Sequence, residues 1–104
     1  MNIGKRISAV VLFGCLASAS ALAGDAAAGK AKSAACVGCH GLTGISANPL
    51  WPNLAGQNEQ YLVKQLQAFK AGERADPNMT LLSSALSEQD IADIAAWFSS
   101  QACK

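Results

Sequence analysis

Four cysteines and one histidine are the residues of this 104-residue chain best suited to chemistry, and three of those five stand together as Cys36-Val37-Gly38-Cys39-His40. A C-x-x-C pair followed at once by histidine reads as covalent attachment of c-type haem. The spacing has a mechanical reason. Cysteines three apart on one helical turn project to the same side, where their sulfurs can form thioethers to the two vinyl groups of one porphyrin. The adjacent His40 can then turn its imidazole onto the iron from the proximal face. Gly38 keeps the intervening turn slim against the ring, and Gly41 lets the chain leave it closely.

Three other chemistries compete for the same residues. A disulfide between Cys36 and Cys39 would close a very short loop and so stabilise little. A thioredoxin-type redox pair belongs beside a βαβ pattern, and the chain carries no convincing alternating strand. A zinc site built from Cys36, Cys39, His40 and Cys103 would need two adjacent residues and one distant residue to point at a single ion, an unusual ligand spacing.

Haem held by one histidine leaves a sixth position open to His, Met, water or substrate. His40 is the sole histidine, and Met79 is the sole methionine besides Met1. Met79 follows the turn-forming stretch Ala75-Asp76-Pro77-Asn78, which places it on a loop able to fold over the distal face. A thioether there would favour ferrous iron and raise the reduction potential. The plainer role is core filling, for which methionine is well suited.

The elements that must position these groups read as helices. Asp25 is a good N-cap for an alanine-rich helix over 25–36, whose Ala28 and Gly29 suit a close helix crossing. Residues 41–57 are loop, rich in glycine, asparagine and proline. Over 58–71, Tyr61, Leu62, Gln65, Leu66 and Phe69 share one helical face, and Gly72 stops the helix. A short turn of helix is expected around 80–86. Ser87, with Glu88 and Asp90 behind it, starts a last helix to about 101, its buried stripe being Ile91, Ile94, Ala95 and Phe98 with Trp97 alongside. Each stripe reads as core. No repeat or second domain is visible.

Composition narrows the function. Eight basic against seven acidic residues, a formal charge of +1, leaves no electrostatic footprint for nucleic acid. The length suits one domain. Part of the 51% apolar content belongs to residues 1–23. They run from Lys5-Arg6 through an apolar stretch to Ala21-Leu22-Ala23 and read as a secretory signal peptide. The apolar run is about half the roughly 20 residues a membrane-crossing helix needs. A minority alternative is lipid attachment at Cys15, within Leu12-Phe13-Gly14-Cys15. Without 1–23, the remaining 81 residues (24–104) carry six bases and seven acids, a charge of −1, and few large apolar side chains. A core that thin calls for a staple such as a covalent cofactor.

Over nearly all of 24–104 the chain resembles the class I cytochrome c family, especially bacterial cytochromes akin to one half of dihaem cytochrome c4 and to c553-type proteins. The resemblance is carried by Gly24-Asp25-Ala26-Ala27-Ala28-Gly29-Lys30, Cys36 to Gly41, Pro52-Asn53-Leu54-Ala55-Gly56-Gln57, Tyr61 to Leu66, Phe69 to Arg74, Met79, and Ala85 to Phe98. It implies an all-α class I cytochrome c fold of about four helices wrapped around one haem c. Cys36 and Cys39 would be the thioether anchors and His40 and Met79 the axial ligands. The first and last helices would cross at Gly29 and Trp97, and the Pro52 carbonyl would accept from His40 Nδ1. Two features depart from the pattern: Thr80-Leu81-Leu82 replaces a proline common after the methionine, and Cys103 is extra. Cys103 implies a free thiol or a disulfide-linked dimer of an otherwise monomeric protein.

The expected function is electron transfer in the periplasm between redox protein partners, with no enzymatic step, because no nucleophile–base pair is left once His40 is committed. The alternative is a gas-binding or peroxidase-like haem with an open sixth position, which requires Met79 not to ligate. A subunit dedicated to one dehydrogenase or oxidase is a third arrangement.

Overall fold

The computed structural model describes residues 4, 8–11, 14 and 22–103. The export reading of 1–23 and the lipidated Cys15 therefore fall largely outside the described residues. Within them, no helix is long and apolar enough to cross a membrane.

Every regular element described is helical: α1 (Ala26–Lys32), a 3₁₀ turn (Ser33–Cys36), α2 (Val37–His40), α3 (Glu59–Ala71), α4 (Pro77–Ser84) and α5 (Glu88–Ser99). With α1, the 3₁₀ turn and α2 running on without a gap, the count is four helical units, as the resemblance implies. Capping chemistry sets the boundaries. The Asp25 carboxylate accepts from the Ala28 amide, Asn58 caps α3, and Ser87 with Asp90 forms a reciprocal capping box on α5. Gly72 ends α3 in the left-handed conformation, φ 75°.

Two expectations change. The first helix tightens to 3₁₀ at Ser33, so the haem motif straddles a 3₁₀ turn and one α-turn. Met79 is on the first turn of α4 rather than on a loop. Asp76-Pro77 acts there as N-cap and N1 residue, a pairing that suits a helix start as well as a turn.

α1 crosses α5 at very close range. A Cβ on Gly29 would overlap the Asp93 carbonyl and crowd Trp97 Cβ, and one on Gly24 would overlap the Ala92 carbonyl. Asp93 is buried in this crossing, 3% exposed. Its carboxylate accepts from Lys32 Nζ at 2.6 Å, the Asp25 amide at 2.9 Å and Gln89 Nε2 at 2.9 Å. Burying a charge is tolerated when it is so fully partnered. Lys32 first, then the Asp25 amide and Gln89, hold the Asp93 carboxyl down to about 2. Lys32 also reaches Asp90 at 3.0 Å, and the two carboxylates hold its ammonium above the ordinary lysine range.

Leu62, Ile94, Ala95 and Phe98 form the central apolar cluster, with Cys36, Leu54 and Leu66 packed against it. Loop 41–57 is tied to α5 rather than floating over it. The Gly56 amide donates to Phe98 O at 3.0 Å, and Trp97 Nε1 donates to Leu42 O at 3.2 Å. Gly44 O accepts from the Leu54 and Ala55 amides, closing the loop on itself.

Candidate functional site

Cys36, Cys39, His40, Pro52 and Met79 all line one cavity of about 490 Å³. Its walls include all four members of the central cluster, Leu62, Ile94, Ala95 and Phe98. Core and cavity wall are thus one surface. The expected α3 stripe, Tyr61, Leu62, Gln65, Leu66 and Phe69, lines it in full. What read as core packing is cavity lining.

Each functional side chain is held by a local feature of its own element. Cys36 ends the 3₁₀ turn, while Cys39 and His40 sit on the single turn of α2. Gly41 then reverses the chain at φ 82°, where a Cβ would overlap the Ile45 carbonyl. Its conformation answers to the Ile45 backbone as well as to any ligand. Gly38 is exposed, and a Cβ there would meet no protein atom, so its slimness has no protein-side cause.

His40 is buried, and its Nδ1 lies 2.8 Å from the Pro52 carbonyl oxygen. A carbonyl can only accept, so Nδ1 carries the proton, which leaves Nε2 as the ring nitrogen that can meet a metal. That is the arrangement of a metal-ligating histidine with its outer nitrogen tied down. Opposite it in sequence, the Asp76 carboxylate accepts from the Asn78 amide at 3.0 Å and the Met79 amide at 2.9 Å. This pins the backbone from which the half-buried Met79 side chain leaves.

The electrostatics weigh against the competing cysteine chemistries. Burial, and secondarily Cys39, push the Cys36 thiol above its ordinary range. A thiol held protonated is a poor nucleophile and a poor metal ligand. Cys103 Sγ lies 3.2 Å from Ala55 O, beside Gly56, and all three cysteines described are free. Among the described residues no three His, Cys, Asp or Glu side chains converge on a common point.

The cavity suits haem c. Its volume lies in the range of roughly 300–1,000 Å³ typical of cofactor sites, and its lining is mainly apolar with a few convergent polar groups. Of the large apolar side chains exposed at the surface, Leu50, Trp51, Tyr61 and Leu82 line this cavity, where a flat apolar ring would cover them. A second depression, on the outer face of α4, is lined by Ala75, Asp76, Pro77, Thr80, Leu81 and Ser84. It contains no cysteine, histidine or methionine, and its one carboxylate is already capping α4.

Two contributors escaped the sequence reading. Asp93 was hidden because a carboxylate in mid-helix reads as solvent-facing, and its chief partner, Lys32, is 61 residues away. Ser83 lines the cavity, is completely buried, and its hydroxyl has no hydrogen-bond partner among the described residues. Its spacing of four from Met79 was the available signal.

Comparison with known proteins agrees with this geometry. The family model described as cytochrome c matches residues 26–102. The chain is similar to cytochrome c4 of Pseudomonas aeruginosa, 57% identical over 79 residues, which cover 76% of this chain and 39% of that protein. Cytochrome c-554(548) of Halomonas halodenitrificans is 49% identical over 82 residues, covering 76% of this chain and 99% of that one. The crystal structure of reduced recombinant cytochrome c4 from Pseudomonas stutzeri superposes with a TM-score of 0.74 at 50% identity, over 77% of this chain and 47% of that one. The chain thus spans about two fifths to one half of the cytochrome c4 proteins it matches, and nearly the whole of the shorter relative.

Proposed function

The chain belongs to the cytochrome c family, and from that premise we propose that it is a periplasmic electron carrier with one covalently attached haem c. Cys36 and Cys39 are its thioether anchors and His40 and Met79 its axial ligands. The observation that carries this reading is the convergence of these four side chains on a single cavity of about 490 Å³.

When bound, the haem supplies a one-electron ferric/ferrous couple. The rest falls to the chain's own residues. Pro52 holds His40 in the tautomer that presents Nε2. The Asp76 cap holds the Met79 backbone, and a thioether at that position favours the ferrous state and a higher potential. Leu62, Ile94, Ala95 and Phe98 exclude water from one side of the cavity. Exposed Leu50, Trp51, Tyr61 and Leu82 frame its mouth. These side chains suit brief apolar contact with redox protein partners, because a formal charge of −1 over 24–104 gives little long-range steering. Residues 1–23, with their basic start and Ala21-Leu22-Ala23 ending, support export. The protein acts as a monomer, Cys103 being, among the described residues, the one thiol outside the site through which two copies could be linked.

A redox titration of the purified protein with visible spectra tests this. The expected result is a c-type haem spectrum, with a ferric absorption band near the red end of the visible range that Met79→Ala abolishes while the haem stays covalently attached. Carbon monoxide binding to the wild-type ferrous protein as readily as to the Met79→Ala variant would overturn methionine ligation and favour the gas-binding alternative.

A further inference from the structure

We propose that the Ser83 hydroxyl donates a hydrogen bond to the Met79 thioether sulfur and so raises the reduction potential of the site. This deepens the reading above and rests on Met79 being an iron ligand. Ser83 is completely buried and lines the cavity, yet its Oγ has no partner among the described residues. A serine within a helix ordinarily turns to solvent or bonds back to a carbonyl of the preceding turn. The neighbouring Ser84 does so, being exposed and donating to Leu81 O at 2.6 Å. Ser83 does neither. An unpaired hydroxyl is costly to bury, so its acceptor is to be sought inside the cavity.

Two arguments identify that acceptor. Ser83 follows Met79 by four residues in α4, which puts both on one helical face, and both line the cavity. The surroundings there are dry: Ser83 is completely buried, and Leu86, whose amide donates to the Ser83 carbonyl oxygen, packs its side chain against the central apolar cluster. A site so enclosed is unsuited to an ionised carboxylate, so the haem propionates are poor candidates. Ser83 and Met79 are not bonded to one another in this structure. A thioether is uncharged and a weak acceptor, and the rotatable bonds of methionine together with a freely turning hydroxyl let the pair meet once the Met79 side chain turns to the iron. Asp76 would then hold the Met79 backbone and Ser83 its sulfur. The positive end of the O–H dipole draws electron density from the sulfur, which disfavours the ferric state. Ser83 is thus a positioning residue acting through Met79.

The test is the reduction potential and ferric spectrum of the haem-loaded full chain carrying Ser83→Ala or Ser83→Thr. We expect Ser83→Ala to keep the covalent haem and the red-end band. The ferric/ferrous equilibrium should shift about threefold toward ferric, a fall of ~30 mV for a one-electron couple. Ser83→Thr, which keeps the hydroxyl, should return the potential toward wild type. An unchanged potential in Ser83→Ala, or equal shifts in both variants, overturns the proposal, since packing alone would then explain the result. Absence of the red-end band from the wild-type protein instead defeats methionine ligation itself, so the two failures are distinguishable.

Discussion

The α1–α5 crossing and the cavity side of the molecule solve the same packing problem by opposite means. At the crossing, Gly24 and Gly29 bring two backbones together, and the one buried carboxylate is satisfied by three donors from the chain itself. On the cavity side, α3 and α4 face inward across a space of about 490 Å³, and exposed Leu50, Trp51, Tyr61 and Leu82 stand at its mouth. One region is complete as protein. The other is a shell whose remaining partner is a covalently attached ring. The difference teaches that stability in a chain this short is divided: the crossing anchors the ends, and the cofactor substitutes for the core that few large side chains could build.

The sharpest way to break the comparison is to remove the anchor of the cavity side. Cys36→Ser with Cys39→Ser should abolish covalent haem, read as loss of the haem mass in intact mass spectrometry. The double variant should also lose most cooperative unfolding by circular dichroism, because the α3–α4 shell then lacks its centre. A cooperative, fully helical double variant would show that the cavity side is self-sufficient after all.

The next largest effect is expected at the crossing. Gly29→Val would drive its Cβ into the Asp93 carbonyl and against Trp97 Cβ, and should cost about 3 kcal/mol, the upper part of the usual overpacking range. Chemical denaturation of the holoprotein measures this, and covalent haem content should stay unchanged. A loss below about 1 kcal/mol would mean that the helices slide apart cheaply.

A smaller effect separates the two regions by pH. The Asp93 carboxyl is held down to about 2 in the fold, against an ordinary value of 3.8. A depressed carboxyl contributes stability that is fully present above its unfolded value and is lost as pH falls through the folded one. Thermal midpoints should therefore decline between about pH 4 and pH 2. Asp93→Asn should lower the midpoint at pH 7 and flatten that decline, while leaving the haem spectrum as it is. An unaltered acid profile would assign the acid lability to other carboxylates.

Legibility in the sequence divides along a different line. Features written in adjacent residues were readable: the Asp25 and Ser87 caps, the Gly72 stop, the Cys36-x-x-Cys39-His40 motif and the α3 stripe. Met79 was identified as a ligand candidate by elimination, but it was placed on a loop ahead of a short helix over 80–86, whereas that helix starts at Pro77, because Ala75-Asp76-Pro77-Asn78 suits a turn as well as a cap. Asp93 and Ser83 were invisible for a common reason. A polar residue's burial depends on partners that the fold brings from elsewhere, and periodicity is blind to them. The stripe over 58–71 was read correctly as inward-facing, yet no local pattern tells a wall facing side chains from one facing a ring.

The Asp76 cap has a consequence beyond locating Met79. Its carboxylate grips backbone amides at the start of α4, and the Pro52 carbonyl grips the His40 ring. Neither hold involves the iron or depends on its charge. The two side chains proposed as ligands, fastened in this way, would be preorganised alike for both oxidation states. Little of the protein then has to rearrange when an electron arrives or leaves, and the speed of exchange is governed by how briefly and how closely a partner approaches the cavity mouth.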